Sequence, residues 1–390
     1  MKYKYTTSIV IAIFTISISI ISILKPDYKI SQQEGRTLQE LPLPSTFEEG
    51  TYKEQLLNGE AFKKWDNYFS DHIVGRGRIV NAYTDIQLLM GKKYINELYL
   101  GKDNELLEAW NFGDYNLEYR KNRANHFNNF AEKFNESKTF IVNLPNKNYA
   151  YEHKMPINNY LAGQSIYIPK LFEEINKEKI KIIDTLEEIN KDDNNYYKTD
   201  HHMNMNGVYT SYKYIINNIR KDIPEISKPK EKSEFDIEVY KEVFIGSHGR
   251  SIPSVVKTMD DIEVYQDNSF TNYKAYNQDG EAKLFYREKI SKDRLNGDYG
   301  VYLGGDNAIF KVENNQSNNK LKTVVIGDSM DNPLIPLLVP HFKELYSYDL
   351  RHYQGNVLQD IESINPDVIL LIGISNNFLM QTDIFNWNNK

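Results

Sequence analysis

Residues 323–332 read TVVIGDSMDN. Thr323–Ile326 form an apolar, β-branched run, the pattern of a strand buried on both faces. Gly327 ends the run, and Asp328 and Ser329 lead toward NPLIPLLVPHFKE (332–344), a helical pattern broken by prolines. In open α/β sheets, ligands bind beyond the carboxyl ends of the strands. A serine there stands near a helix N-terminus, where backbone N–H groups can hold an oxyanion. The plain alternative is a turn with a helix cap.

Four similar runs lie outward from this one: TFIVNL (139–144), KIKIID (179–184), LYSYD (345–349) and DVILLIG (367–373). Helical patterns separate several of them, as in PKLFEEINKE (169–178) and GVYTSYKYIINNIRKDI (207–223). Strands alternating with helices predict an α/β fold, a mostly parallel sheet flanked by helices. Residues 225–320 are polar, with short β-like pieces and many turns, and read as an insertion or cap within residues 61–390. Residues 60–92 carry a helical pattern interrupted near Gly75 and Gly77, and 115–137 read as a polar-faced helix.

The chain begins MKYKY, and SIVIAIFTISISIISIL (8–24) follows without a charge. A cationic start before an apolar run near spanning length predicts an uncleaved signal-anchor over residues 1–25, with a stalk over 26–60 and the rest outside the cytoplasm. Cleavage and secretion is the lesser alternative, since no A-x-A-like site precedes Lys25. The mean hydropathy of −0.60 excludes a polytopic membrane protein. A net charge of −7 without a basic run excludes nucleic acid as the expected partner. The absence of cysteine excludes disulfides, thiolate metal sites and cysteine nucleophiles.

A serine nucleophile needs a base, and the base needs an orienting carboxylate. The segment YYKTDHHMNMNG (196–207) offers both. In extended chain, residues two apart share a face, so Asp200 and His202 pair while His201 points elsewhere. This favours His202 as base and Asp200 as its partner, with Ser329 as the candidate nucleophile; a capping aspartate beside surface histidines is the plain alternative. A metal site using both histidines and Asp200 is the rival reading. His72, His153 and His248 are scattered in sequence, and no metal is assigned. VNLPNKNYAY (142–151) follows a strand directly, so Asn146 and Lys147 fall on the Ser329 rim, as substrate or oxyanion candidates beside Asp328, or as a solvated loop.

These segments resemble the DHHW family of Gram-positive exported proteins, which is similar to the alginate-type O-acetyltransferases of the SGNH hydrolase superfamily. The likeness is carried by SQQEGRTLQELP (31–42), YFSDHIVGRGRIV (68–80), LPNKNYAY (144–151), TDHHMN (199–204), YGVYLGGDNAIF (299–310), VVIGDSMDN (324–332) and YSYDLRHY (346–353), in family order. The resemblance implies an SGNH-like sheet in permuted order, with the Asp-His element before the serine. It also implies Arg351 near the site, no diffusible cofactor, and an extracytoplasmic O-acetyltransferase or acetylesterase acting on a cell-surface or biofilm polysaccharide. A membrane-bound O-acyltransferase is its implied donor partner. A non-catalytic glycan-binding or scaffold protein is the alternative. Met203 stands where the family has Trp, and it lacks the indole N–H and the stacking face.

Overall fold

The computed structural model describes residues 5–25, 28–31, 36–46, 51–108, 116–156, 164–290 and 299–387. The chain forms two compact units, Met1–Ile95 with Arg250–Lys257, and Asn96–Gly249 with Thr258–Lys390. The helical stretch 60–92 thus belongs to the first unit.

In the first unit the uncharged N-terminal run is a helix, α1 (Thr6–Leu24). It is 19 residues long, about 28 Å at the helical rise. Among the described residues, no helix is long and apolar enough to cross a membrane. The Thr15 and Ser19 hydroxyls of α1 donate back to the carbonyls four residues earlier. Ile30–Ser31 pairs antiparallel with Arg36–Thr37. Helices α2 (Glu60–His72) and α3 (Arg76–Leu89) are separated at Gly75, whose φ of 74° suits glycine. His72 is buried with its Nε2 3.0 Å from the Gln39 carbonyl oxygen.

The second unit is built on one eight-stranded sheet. Its strands are β1 (Lys138–Leu144), β2 (Ile180–Asp184), β3 (Tyr273–Asn277), β4 (Gly280–Ala282), β5 (Ile309–Asn314), β6 (Lys322–Ile326), β7 (Glu344–Tyr348) and β8 (Val368–Ile374). The spatial order is β4-β3-β5-β7-β6-β8-β1-β2. The five strands from β7 to β2 are parallel, and β5, β3 and β4 add an antiparallel edge. All five apolar runs named above are the parallel strands. The polar segment 225–320 divides: β3, β4 and β5 widen the sheet, while Asp236–Phe244 and Asp260–Gln266 form a separate two-stranded ribbon. Residues 291–298 of that segment lie outside the described residues.

Alternation along each central strand feeds two cores. Phe140, Val142 and Leu144 join Val368, Leu370 and Ile372 on one face. Ile141, Ile369 and Leu371 join Val324 and Ile326 on the other. Helix α4 (Leu117–Lys133), helix α5 (Gln164–Glu174) and helix α8 (Val357–Ile364) cover the second face, through residues such as Phe127, Ile168 and Ile361. Helix α6 (Met205–Asp222) covers the first with Tyr212, Ile215, Ile216 and Ile219. Burial on both faces is why these strands read as continuous apolar runs. Asn204 starts α6 by accepting from the N–H groups of Asn206 and Gly207, an N-cap that fixes where the preceding histidine segment ends.

Candidate active site

The carboxyl ends of the parallel strands converge on one rim. β6 ends at Gly327-Asp328-Ser329, β1 runs into Pro145-Asn146-Lys147, β7 into Asp349–Arg351, and β8 into the short helix Ser375–Leu379. The turn after β6 is tight. A Cβ on Gly327 would lie 2.0 Å from Asp331 Oδ2, so no other residue fits there without displacing the buried Asp331. Asp328 Oδ1 accepts the Met330 N–H at 2.9 Å and its Oδ2 accepts the Asn377 amide at 2.5 Å. Asn377 is held in turn by Arg123 of α4, which donates to the Asn377 and Phe378 carbonyls. Burial pushes the Asp328 carboxyl up, and it pushes Asp331 well above the carboxylate range, helped by the neighbouring Asp328, Asp349 and Asp306.

The histidine segment is a small hairpin closed by a Tyr196–Met203 bridge. Asp260 accepts from the Lys198 and Thr199 N–H groups and the Thr199 hydroxyl. Met203, in place of the family Trp, is buried in the core of the first face. At the hairpin tip, His202 Nδ1 lies 2.5 Å from Asp200 Oδ1, and His202 Nε2 lies 2.9 Å from Ser329 Oγ. A carboxylate only accepts, so His202 carries its proton on Nδ1 and presents Nε2 as acceptor to the serine hydroxyl. Asp200 also accepts the His202 N–H at 3.0 Å, and its Oδ2 accepts the Ser247 N–H at 2.7 Å and the Ser247 hydroxyl at 3.2 Å. Burial opposes the charged carboxylate, but His202, His201 and His248 outweigh it and hold Asp200 well below the usual range. Tyr299 stacks on the His202 ring, with centroids 4.1 Å apart and planes 22° from parallel.

The structure therefore brings Asp200, His202 and Ser329 into one hydrogen-bonded line, with His201 turned aside to Ser247 Oγ at 3.2 Å. The other candidates support this line. Lys147 is buried; its Nζ donates to the Tyr197 and Lys198 carbonyls at 2.8 and 3.1 Å and pairs with Glu105 at 3.0 Å. Burial lowers its pKa against the pull of Glu105. Its ammonium thus props the histidine hairpin from beneath. Asn146 donates to Asn148 Oδ1 at 2.6 Å. Arg351 makes a two-point contact with Asp349 and reaches Asp306 at 3.0 Å. Asp306 in turn accepts from Asn332, three residues past the serine, so Arg351 braces the Ser329 turn. Sequence reasoning missed Ser247, Tyr299, Asp260 and Glu105. Each reaches the site from a distant segment, and only the YGVYLGGDNAIF stretch carried any local signal.

This arrangement defines an α/β protein with a serine, a histidine and an aspartate in line at the carboxyl rim of a largely parallel sheet. The sequence profile described as "DHHW protein" matches residues 155–348, so this part of the chain is similar to that family. The structure of Bacillus cereus PatB1 with sulfonyl adduct is similar at 22% identity and a TM-score of 0.62, covering 74% of this chain and 97% of that one. A DHHW family protein from Eubacterium siraeum is similar at 20% identity and a TM-score of 0.61, covering 75% and 96%. At these identities the likeness shows the fold. The O-acetyltransferase domain of Pseudomonas putida AlgJ matches at 10% identity with a TM-score of 0.46, over 75% of this chain and 95% of that one, too distant to argue from. No curated protein matches the sequence.

Proposed function

We propose that the chain is an extracytoplasmic serine-dependent O-acetyltransferase or acetylesterase acting on a cell-surface or biofilm polysaccharide. The observation that carries this reading is the unbroken line from Asp200 Oδ1 through His202 to Ser329 Oγ, at 2.5 and 2.9 Å. His202 Nε2 takes the Ser329 proton as Oγ attacks the acyl carbonyl, and Asp200 holds the imidazolium that forms. The Ser329 backbone N–H meets no acceptor among the described residues and is assigned to the oxyanion. Collapse returns the proton through His202 to the leaving oxygen and leaves an acyl-serine. A sugar hydroxyl, or water, then gives its proton to His202 and attacks the acyl carbonyl, and His202 returns that proton to Ser329 Oγ as the acyl–serine bond breaks. The polysaccharide acceptor and a membrane-bound O-acyltransferase as acyl supplier follow from the family's resemblance to alginate-type O-acetyltransferases.

The test uses p-nitrophenyl acetate with wild type, Ser329→Ala, His202→Ala and His201→Ala, and a sulfonyl fluoride followed by peptide mass spectrometry. Turnover lost in the first two variants and kept in the third, with label on Ser329, is expected. Wild type no faster than Ser329→Ala, with no label, would leave a glycan-binding scaffold as the better account. Location outside the cytoplasm, with α1 at the membrane, rests on the cationic start and on apolar side chains such as Ile13, Phe14 and Ile20 that α1 exposes. Protease accessibility in intact cells checks it, and protection of the whole chain would overturn it.

A further inference from the structure

We propose that Glu108, His201 and His248 bind one divalent transition-metal ion beside the serine site. Three separate segments supply them: the end of strand Leu106–Glu108, the tip of the histidine hairpin, and helix α7 (Ser247–Ser251). One ligand atom from each lies within 4.8 Å of the others. His248 Nε2 is already 3.0 Å from Glu108 Oε1, and the His201 and His248 ring centroids are 5.7 Å apart. Tetrahedral ligands each about 2.1 Å from zinc stand roughly 3.4 Å apart, so closure asks for a shift of about 1 Å.

The surroundings favour these three over the overlapping cluster of Asp200, His201 and His202. His201 turns Nδ1 toward Ser247 Oγ and Asp200 Oδ1, at 3.2 and 3.4 Å. That leaves Nε2 for an ion and supplies the outer hydrogen bond that metal-bound histidines commonly make. The His248 side chain is 5% exposed, yet its Nδ1 has no hydrogen-bond partner among the described residues, an uncommon state for a buried polar atom. A flip of the ring offers either nitrogen to the ion. The His201 and Glu108 side chains are 37% and 31% exposed, which gives the ion a way in from solvent. Two imidazoles and one carboxylate suit zinc, cobalt, nickel or copper better than calcium or magnesium. The alternative cluster of Asp200, His201 and His202 is occupied by its own hydrogen bonds, and an ion there would break the contact between Asp200 and His202. An ion on Glu108, His201 and His248 leaves that contact intact and ties the hairpin tip to two neighbouring segments.

The experiment uses the untagged full chain, stripped with chelator and dialysed against zinc chloride or cobalt chloride. Wild type and Ser329→Ala are expected to hold one ion per chain, with cobalt giving the visible absorption of a four-coordinate centre. Binding is expected to weaken about 100-fold in Glu108→Gln and in His248→Ala. Saturating zinc is expected to raise the melting temperature of wild type by about 2–5 °C and that of Glu108→Gln hardly at all. Glu108→Gln keeps the side-chain shape, and its melting in chelator confirms that it folds. No stoichiometric binding, equal binding in the variants, or binding lost in Asp200→Asn but kept in Glu108→Gln would each overturn the assignment. None of these readouts depends on catalysis, so the metal site and the serine mechanism fail separately.

Discussion

Gly246→Ala is the sharpest test of how Asp200 is held. A Cβ at position 246 would stand 2.1 Å from Asp200 Oδ2, 2.2 Å from its Cβ and 2.4 Å from its Cγ. Ordinary van der Waals contact begins at 3.4 Å, so the carboxylate or the 246–247 backbone must move by more than 1 Å. Asp200 has no such freedom, because Oδ1 holds His202 at 2.5 Å and Oδ2 holds the Ser247 N–H at 2.7 Å. Misplacing a catalytic group by 1 Å costs about 100-fold, and losing the orienting aspartate's function about 10⁴-fold. A fall in kcat/KM of about 10²–10⁴ with p-nitrophenyl acetate is therefore expected. Weakening two hydrogen bonds to a buried charge predicts a stability loss of about 2–4 kcal/mol in urea unfolding. Ser247→Ala is the control. It removes the hydroxyl contacts with Asp200 and His201, each 3.2 Å, keeps the backbone donor, and is expected to stay within about tenfold of wild type. A folded Gly246→Ala with wild-type kcat/KM would refute the claim that packing against residue 246 positions the base.

His341 predicts acid sensitivity. The Lys230 N–H donates to the Tyr212 hydroxyl, so that hydroxyl can give its own proton to His341 Nε2, while Nδ1 faces Ser227. Burial lowers the His341 pKa from 6.5 to about 4. The unfolded chain then binds the extra proton first, so stability falls from about pH 6.5 down to about pH 4, by roughly 3 kcal/mol from this residue. Urea unfolding of His341→Gln should show a flatter pH profile across that window, and an unchanged slope would count against the assignment. Lys147→Met leaves Glu105 buried with only the more distant Lys154, 3.7 Å away, and should cost about 3 kcal/mol in the same assay. Adding Glu105→Gln should recover part of that loss. Tyr299→Phe keeps the ring on His202 and should keep kcat, whereas Tyr299→Ala should lower it up to about tenfold; equal kcat in both would remove the stack from the mechanism.

What could be read from the chain follows the range over which each interaction acts. The central strands were legible because burial on both faces writes itself into consecutive residues: Val324–Ile326 and Val368–Ile372 are apolar whichever way each side chain points. The pairing of Asp200 with His202 was legible because extended backbone sets it within three residues. The antiparallel edge was not, since β3 to β5 alternate between sheet and solvent amid polar turns, and their place depends on pairing with β7 across the sheet. Lys147 faced the right rim, but its buried partner Glu105 lies 42 positions away in sequence, and only that contact turns a candidate ligand into a prop. His248 looked scattered for the same reason. Helix α7 brings it to His201, and the same helix delivers the Ser247 N–H to Asp200. One short helix thus serves the orienting aspartate on one side and completes the Glu108–His201–His248 cluster on the other, a coupling that no stretch of sequence near either histidine contains.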